Sequence, residues 1–402
     1  MNNRQLFLQH VAQTSPAPIG LEIIKAEGVY MWDKDGNRFM DLISGFSVMN
    51  LGHGQPAIKE AIKKQLDDYM HLMVYGEIIE TPQVQYAKRL TGCLPASLDC
   101  VYFTNSGTEA TEGAMKLAKR VTGRSKVVAF NKAYHGSTQG ALSIMGGEYW
   151  RNAYRPLLPD VWHAGFNTDG TIEFIDKHTA CVVMEVVQAE AGVIPAQPQW
   201  LKRVRDKCNQ TGALLVFDEI QTGFGRTGTL WAFEEYGIAP DILLLGKALG
   251  GGLPLGAFIS SYDHMQTLTN NPVLGHISTF AGHPVCCAAG LAGFELLLGN
   301  SLIPDLTEAV SHKNDLFQTL LKHSAIKSIR SKGLLMAVEF ESAEIGQAVC
   351  HACVKAGVVT DWFLFAPHCL RIAPPLIITD EEIGWACKVI LESIDKIINA
   401  KF

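Results

Sequence analysis

One stretch, Ala213 to Ala257 (ALLVFDEIQTGFGRTGTLWAFEEYGIAPDILLLGKALGGGLPLGA), constrains this chain more than any other. Its two apolar runs, Leu214–Phe217 and Ile242–Leu245, are short, rich in Leu and bounded by breakers, so they read as buried strands of a sheet covered on both faces. Each run ends in a charge: Asp218 closes the first, and Lys247 follows the second after a single Gly246. Sheets of this kind place ligands just beyond the carboxyl ends of their strands. The two charges are 29 residues apart, which suits a strand, a helical connection and a strand.

A lone Lys at a strand end is commonly a solvated terminus, and a lone Asp there a turn former. The neighbours change that reading. Lys247 leads into Ala248-Leu249-Gly250-Gly251-Gly252, whose small side chains let a ring or phosphate approach the backbone. A desolvated Lys gives up its proton readily and forms Schiff bases, and a pyridoxal cofactor needs such a Lys together with an acid for its pyridinium nitrogen. Lys247 and Asp218 offer both.

The run Leu215–Gly228 followed by Gly246-Lys247-Ala248-Leu249-Gly250-Gly251-Gly252 resembles the active-site signature of the class III pyridoxal-phosphate aminotransferases, the ornithine, acetylornithine and 4-aminobutyrate group. The resemblance extends over nearly the whole chain. It implies an α/β, fold-type-I architecture: a large domain with a mostly parallel central sheet flanked by helices, plus a smaller α+β domain. It also implies pyridoxal 5'-phosphate as cofactor, no metal, and a homodimer with shared active sites.

Composition agrees with an enzyme of this size. The 402 residues are 48% hydrophobic, enough for a large core, and the net charge of −6 with no basic cluster gives no case for nucleic acid. No apolar run approaches the roughly 20 residues of a membrane span, and Met1-Asn2-Asn3-Arg4 leads into a helical pattern rather than a signal peptide. The cysteines are scattered, and the adjacent pair Cys286-Cys287 lies among small residues as helix packing does, so a reduced, cytoplasmic setting is expected.

From the N-terminus, residues 1–20 are expected to form a short polar helix ending at Ser15-Pro16-Ala17-Pro18, then a hairpin of Glu22–Tyr30 and Arg38–Asp41 turning at Asp33-Lys34-Asp35-Gly36. Residues 55–94 show helical spacing, with Pro56 suited to a first turn. A strand at Val101–Phe103 leads through Asn105-Ser106-Gly107-Thr108 into a helix, Thr111–Arg120. Ser106 and Thr108 could be ordinary caps; a strand entering a helix through Gly is also an anion site. The resemblance assigns the cofactor phosphate to Ser106, Gly107 and Thr108. It also assigns ring stacking to Tyr134, with His135 its neighbour, a ring-hydroxyl contact to Gln221, and a phosphate contact from the other subunit to Thr279.

Two departures from the family pattern stand in the backbone: Glu185-Val186 replaces Glu-Pro, and Ala189 replaces Gly. Two others bear on substrate. Ser137 stands where the family commonly has an Arg that clamps a distant carboxylate, and Phe46 stands where ornithine aminotransferase has Tyr. Arg371 interrupts the apolar run Leu370–Ala373; the resemblance makes it the clamp for a substrate carboxylate, with Glu190 beside it. Lys132 and Arg151 are candidate replacements for the missing Arg.

Beyond about residue 300, amphipathic patterns at 302–323 and 380–399 alternate with short strands, a separate α+β layer. The expected division is an N-terminal segment 1–50 joining the small domain, a large cofactor domain 51–298, and a C-terminal small domain 299–402. The expected reaction is amino transfer from an ω-amino donor, acetylornithine- or ornithine-like, to an oxo acid such as 2-oxoglutarate. A 4-aminobutyrate or other ω-amine transaminase, or an aminomutase, would use the same residues. A nucleotide-binding dehydrogenase is disfavoured on the reading that no G-x-G-x-x-G follows any predicted strand.

Overall fold

The computed structural model describes residues 2–74, 76–299 and 301–399. At its centre is a seven-stranded sheet in the order Cys100–Thr104, Gly256–Ser260, Ile242–Leu245, Leu214–Asp218, Thr179–Met184, Lys126–Phe130, Val161–Ala164. Gly256–Ser260 runs antiparallel to both of its neighbours and the other pairings are parallel. The strands Lys126–Phe130, Thr179–Met184 and Ile242–Leu245 are buried along their whole length, as strands covered on both faces must be. In the register Asp218 pairs with Leu244, so Lys247 leaves the sheet at the same edge as Asp218.

The connection between those two strands differs from expectation. It carries no α-helix, only turns and a five-residue 3-10 helix, Ala232–Tyr236. Gly223, Gly225, Gly228 and Gly237 oppose helix there, and the Glu219 carboxylate holds the turns by accepting from Ala232 and Phe233 N–H at 2.8 and 2.7 Å. Gly223–Gly228 does have G-x-G-x-x-G spacing, but it lies in these turns and opens no helix.

Residues 55–94 form two helices, Pro56–Asp68 and Thr81–Thr91, each with Pro in its first turn, and Pro284–Leu298 packs across both. The first helix is confined to Asn3–His10, closed by a capping box between Asn2 and Gln5. The expected hairpin turns at Asp33–Asn37, but its first arm breaks at Gly28, where φ is +58°, into Ile23–Glu27 and Tyr30–Asp33. The third strand of this sheet, Arg38–Asp41, pairs in parallel with Val358–Val359 from the far end of the chain. A third sheet, in the order Ser328–Lys332, Leu335–Glu339, Ala366–Ile372, Trp362–Phe363, carries Arg371.

One buried cation ties distant segments together. Arg226 donates from Nη1 to the carbonyls of Leu334 (3.0 Å) and Pro374 (2.6 Å), and from Nη2 to Ser44 Oγ (3.1 Å) and Asn50 Oδ1 (2.5 Å). Burial lowers its pKa to about 9, against the attraction of Asp41. All ten cysteines are free. The scattered pattern does contain one C-x-x-C, Cys350 to Cys353, on the helix Ala343–Lys355; both thiols are buried and pushed up by burial, the second to about 11, as packing residues are.

Candidate active site

Beyond the carboxyl ends of the central strands lies a cavity of about 300 Å³ lined by Gly107, Thr108, Tyr134 to Ser137, Glu185, Glu190, Asp218, Ile220 to Thr222 and Lys247. The sequence names most of these as site residues; Gly136, Glu185, Ile220 and Thr222 are additions. Lys247 begins a short 3-10 helix at φ +49°, and its Nζ donates to Gln221 Oε1 at 3.1 Å. Burial lowers the Lys247 amine to about 8; the charge of Glu190 opposes this, that of Arg371 adds to it, and that of Asp218 opposes it. An amine so depressed is a usable nucleophile and base near neutrality.

Asp218 Oδ2 lies 2.7 Å from His135 Nδ1, while Oδ1 accepts from Ile220 N–H at 3.0 Å. His135 was expected as a cofactor-binding neighbour of Tyr134; the structure also makes it the partner of Asp218. Burial opposes the His135 charge, but the hydrogen bond and charge of Asp218, with that of Glu185, outweigh it and raise the pKa. Glu185 is pushed up to about 7 by burial, and accepts from Tyr134 N–H (3.2 Å) and Ala189 N–H (2.9 Å).

Arg371 is almost fully buried (1% exposed) and gripped from several sides. Glu190 takes Nη1 and Nη2 in a two-pronged pair at 2.8 and 2.9 Å, and Asp361 Oδ1 lies 2.9 Å from Nε. Rings of Phe363 and Phe46 stand 4.3 and 5.1 Å from the guanidinium carbon. Burial works against the Glu190 charge, but Arg371 and the Leu364 N–H overcome it and lower the pKa. Asp361 is pushed up to about 6 by burial, against the pull of Arg371. Phe46 sits in a run of left-handed residues, with φ of 44, 59, 62 and 65° from Ser44 to Ser47, backbone strain that Asp41 supports by accepting from Ile43 and Ser44 N–H.

Ser137 is at the cavity, 3.2 Å from the Tyr134 hydroxyl. Neither suggested replacement cation lines the cavity. Arg151 is engaged with Glu148 and His163, and Lys132 points from an exposed position. Ser106 caps the helix Gly107–Thr122 by accepting from Glu109 N–H and lies behind the cavity wall. Thr279 stands apart from the cavity, exposed, in a segment with large apolar side chains facing outward, among them Val273 (70% exposed) and Phe280 (56%).

The family model for class III aminotransferases matches residues 11–394. The chain belongs to the class III aminotransferases. It is 35% identical to a [LysW]-aminoadipate semialdehyde/glutamate semialdehyde transaminase of Sulfolobus acidocaldarius, over 94% of this chain and 96% of that protein. It is 34% identical to an acetylornithine aminotransferase of Caldanaerobacter subterraneus subsp. tengcongensis, over 93% of this chain and 95% of that one. Among solved structures, ornithine aminotransferase of Toxoplasma gondii, described with pyridoxal phosphate at its active site, superposes with a TM-score of 0.89 at 30% identity, covering 98% of this chain and 94% of that one.

Pyridoxal 5'-phosphate is the cofactor of this aminotransferase class, and the residues present fit it. Two buried polar atoms at the cavity, His135 Nε2 and Gln221 Nε2, have no partner within the chain. At the phosphate end the backbone is packed too closely for side chains: a Cβ on Gly107 would meet Ile220 at 2.7 Å, and one on Gly136 (φ +123°) would meet Thr108 Oγ1 at 2.3 Å. The first N–H groups of a 16-residue helix have no intrahelical acceptor and favour an anion. Among the described residues there is no cluster of three or more His, Cys, Asp or Glu able to hold a metal, and no helix long and apolar enough to cross a membrane.

Proposed function

We propose that this aminotransferase takes its amino group from an ω-amino donor, acetylornithine- or ornithine-like, and delivers it to an oxo acid such as 2-oxoglutarate. The observation that carries the reading is the Glu190–Arg371 fork beside Lys247. With Glu190 closed on it, Arg371 is neutralised while an ω-amine reacts. With Glu190 displaced, the same guanidinium takes the carboxylate of an oxo acid in the same two-pronged geometry. The names of the 34% and 35% identical relatives support donors of this kind.

When bound, pyridoxal phosphate supplies a ring that accepts electrons from the reacting carbon. Lys247 would be the residue that holds the cofactor, and its Nζ, with a pKa lowered to about 8, is the group that would move a proton on and off the substrate carbon. Asp218, oriented by His135, keeps a proton on the ring nitrogen. Gln221 Nε2 would serve the ring hydroxyl, Tyr134 would stack on the ring, and Gly107 and Thr108 with Ser106 would hold the phosphate. Thr279 completes that end from a second copy, in a homodimer with shared sites; the outward apolar segment at 273–280 supports this. Ten free thiols fit a cytoplasmic setting. Residues 1–50 and 299–402 make the small domain against 51–298, a division supported by the pairing of Arg38–Asp41 with Val358–Val359.

The test is the donor half-reaction, followed by absorbance, with ornithine, acetylornithine, 4-aminobutyrate, lysine and carboxylate-free amines on wild type and Ser137→Arg. Wild type is expected to show little preference for a distant carboxylate, and Ser137→Arg to gain one of about ten-fold, the worth of one charge-assisted pair. A wild type that already demands the distant carboxylate, with no gain from Ser137→Arg, refutes Ser137 as the mark of a lost clamp.

A further inference from the structure

Arg371 is held by two carboxylates that are anchored differently. Asp361 belongs to the same ladder as Arg371: its carbonyl accepts the Arg371 N–H at 2.8 Å, Thr360 Oγ1 donates to the Arg371 carbonyl at 2.5 Å, and Trp362 pairs with Leu370. The backbones that carry the Asp361 carboxylate and the guanidinium are therefore joined directly. Glu190 reaches the guanidinium from a loop after the central sheet, with Oε2 also accepting from Leu364 N–H at 2.9 Å; it lines the cavity and occupies the Nη1/Nη2 fork, the two donors an incoming carboxylate would need.

We propose that Asp361 is the positioning residue of the carboxylate site, a fixed rear partner at Nε that keeps the Arg371 fork facing the cavity when Glu190 leaves it. This rests on the reading of Arg371 as that site. The rings of Phe46 and Phe363 lie against the guanidinium faces and restrain its tilt, but they leave it free to turn within its plane. Asp361, on the Nε edge, opposes that turn, together with the Trp362 carbonyl, which accepts from Nη2 at 3.2 Å. Replacing Glu190 by a substrate carboxylate exchanges one negative charge for another at the fork. The charge of Asp361 therefore cancels from the exchange, and its contribution is geometric. The Nε contact at 2.9 Å lacks hydrogen-bond alignment, so what holds the edge is the electrostatic attraction of an oxygen of the right reach in that place.

The experiment measures KM on the holoenzyme for 2-oxoglutarate and for a carboxylate-free aldehyde acceptor, in wild type, Asp361→Ala, Asp361→Asn and Arg371→Gln. Asp361→Ala is expected to raise the 2-oxoglutarate KM about ten-fold or more while the aldehyde KM changes less than about two-fold. Asp361→Asn, which keeps an oxygen beside Nε, is expected to return the 2-oxoglutarate KM to within about three-fold of wild type. An unchanged 2-oxoglutarate KM in Asp361→Ala, a parallel rise with the aldehyde, or an Asn variant as impaired as Ala overturns the proposal. If Arg371→Gln itself leaves the 2-oxoglutarate KM untouched, the carboxylate site falls and the inference with it. If Arg371→Gln raises it and Asp361→Ala does not, the positioning role alone falls.

Discussion

His135 Nδ1 and Asp218 Oδ2 are 2.7 Å apart in a buried site, with the far nitrogen of the imidazole left unpaired by the chain. The carboxylate is thereby held by one ring and one backbone N–H. Asp218→Asn keeps this shape and removes the charge. The expected loss is on the order of 2–4 kcal/mol in kcat/KM, read by steady-state kinetics. Turnover like wild type in that variant would reassign Asp218 to a turn.

Lys247 gives a pH prediction. Its amine, lowered to about 8, must be unprotonated to capture the cofactor carbonyl. The rate at which apoenzyme recovers its visible absorbance on adding pyridoxal phosphate should rise with pH through about 8 and then level off. An ordinary lysine would keep the rate rising to about 10.4. Borohydride should fix the cofactor on the peptide containing Lys247, and Lys247→Ala should lose both the label and turnover. Labelling of a different peptide would remove Lys247 from the chemistry.

Gly136 is a steric test of the phosphate end. A methyl group there would stand 2.3 Å from Thr108 Oγ1 at a backbone φ of +123°, so Gly136→Ala must displace the helix start or strain the loop. Cofactor dissociation, followed by loss of absorbance on dilution, should be at least about ten-fold faster, equivalent to roughly 1.4 kcal/mol. Unchanged retention would show that the phosphate is held elsewhere.

Thr279 tests the second copy. Thr279→Ala should weaken cofactor retention by roughly 1.5–3 kcal/mol, the value of one hydrogen bond to a charged group, without lowering the thermal stability of the apoenzyme. Sedimentation of wild type at assay concentration should give a dimer. A fully active monomer would end the shared-site reading.

The two strands that present Asp218 and Lys247 were legible because dense Leu and Val bounded by breakers leave few alternatives. Their connection was not. The spacing of 29 residues suggested a helix, and only the distribution of Gly223, Gly225, Gly228 and Gly237 argued against one. Periodicity also merged the helices Pro56–Asp68 and Thr81–Thr91, since the segment between them carries apolar residues at compatible spacing. In the site, Lys247, Asp218 and Arg371 stood out as charges in apolar runs. His135 and Asp361 did not, because their roles come from partners 83 and 10 residues away that only the folded sheet brings into contact. Glu185 had a signal, a carboxylate at a strand end, but it was read only as part of a backbone departure.

The Arg226 clamp has a consequence for how the substrate site comes into being. One guanidinium joins Ser44 and Asn50, which flank the loop carrying Phe46, to the carbonyls of Leu334 and Pro374, which lie next to the strands bearing and facing Arg371. If any of these segments opens, a buried cation loses its acceptors, and that cost is shared by the others. The segments around residues 44–50 and 334–374 should thus behave as one cooperative unit. Amide hydrogens near residues 44–50 and 334–339 should exchange together in a single opening event, so the carboxylate pocket is assembled whole or not at all.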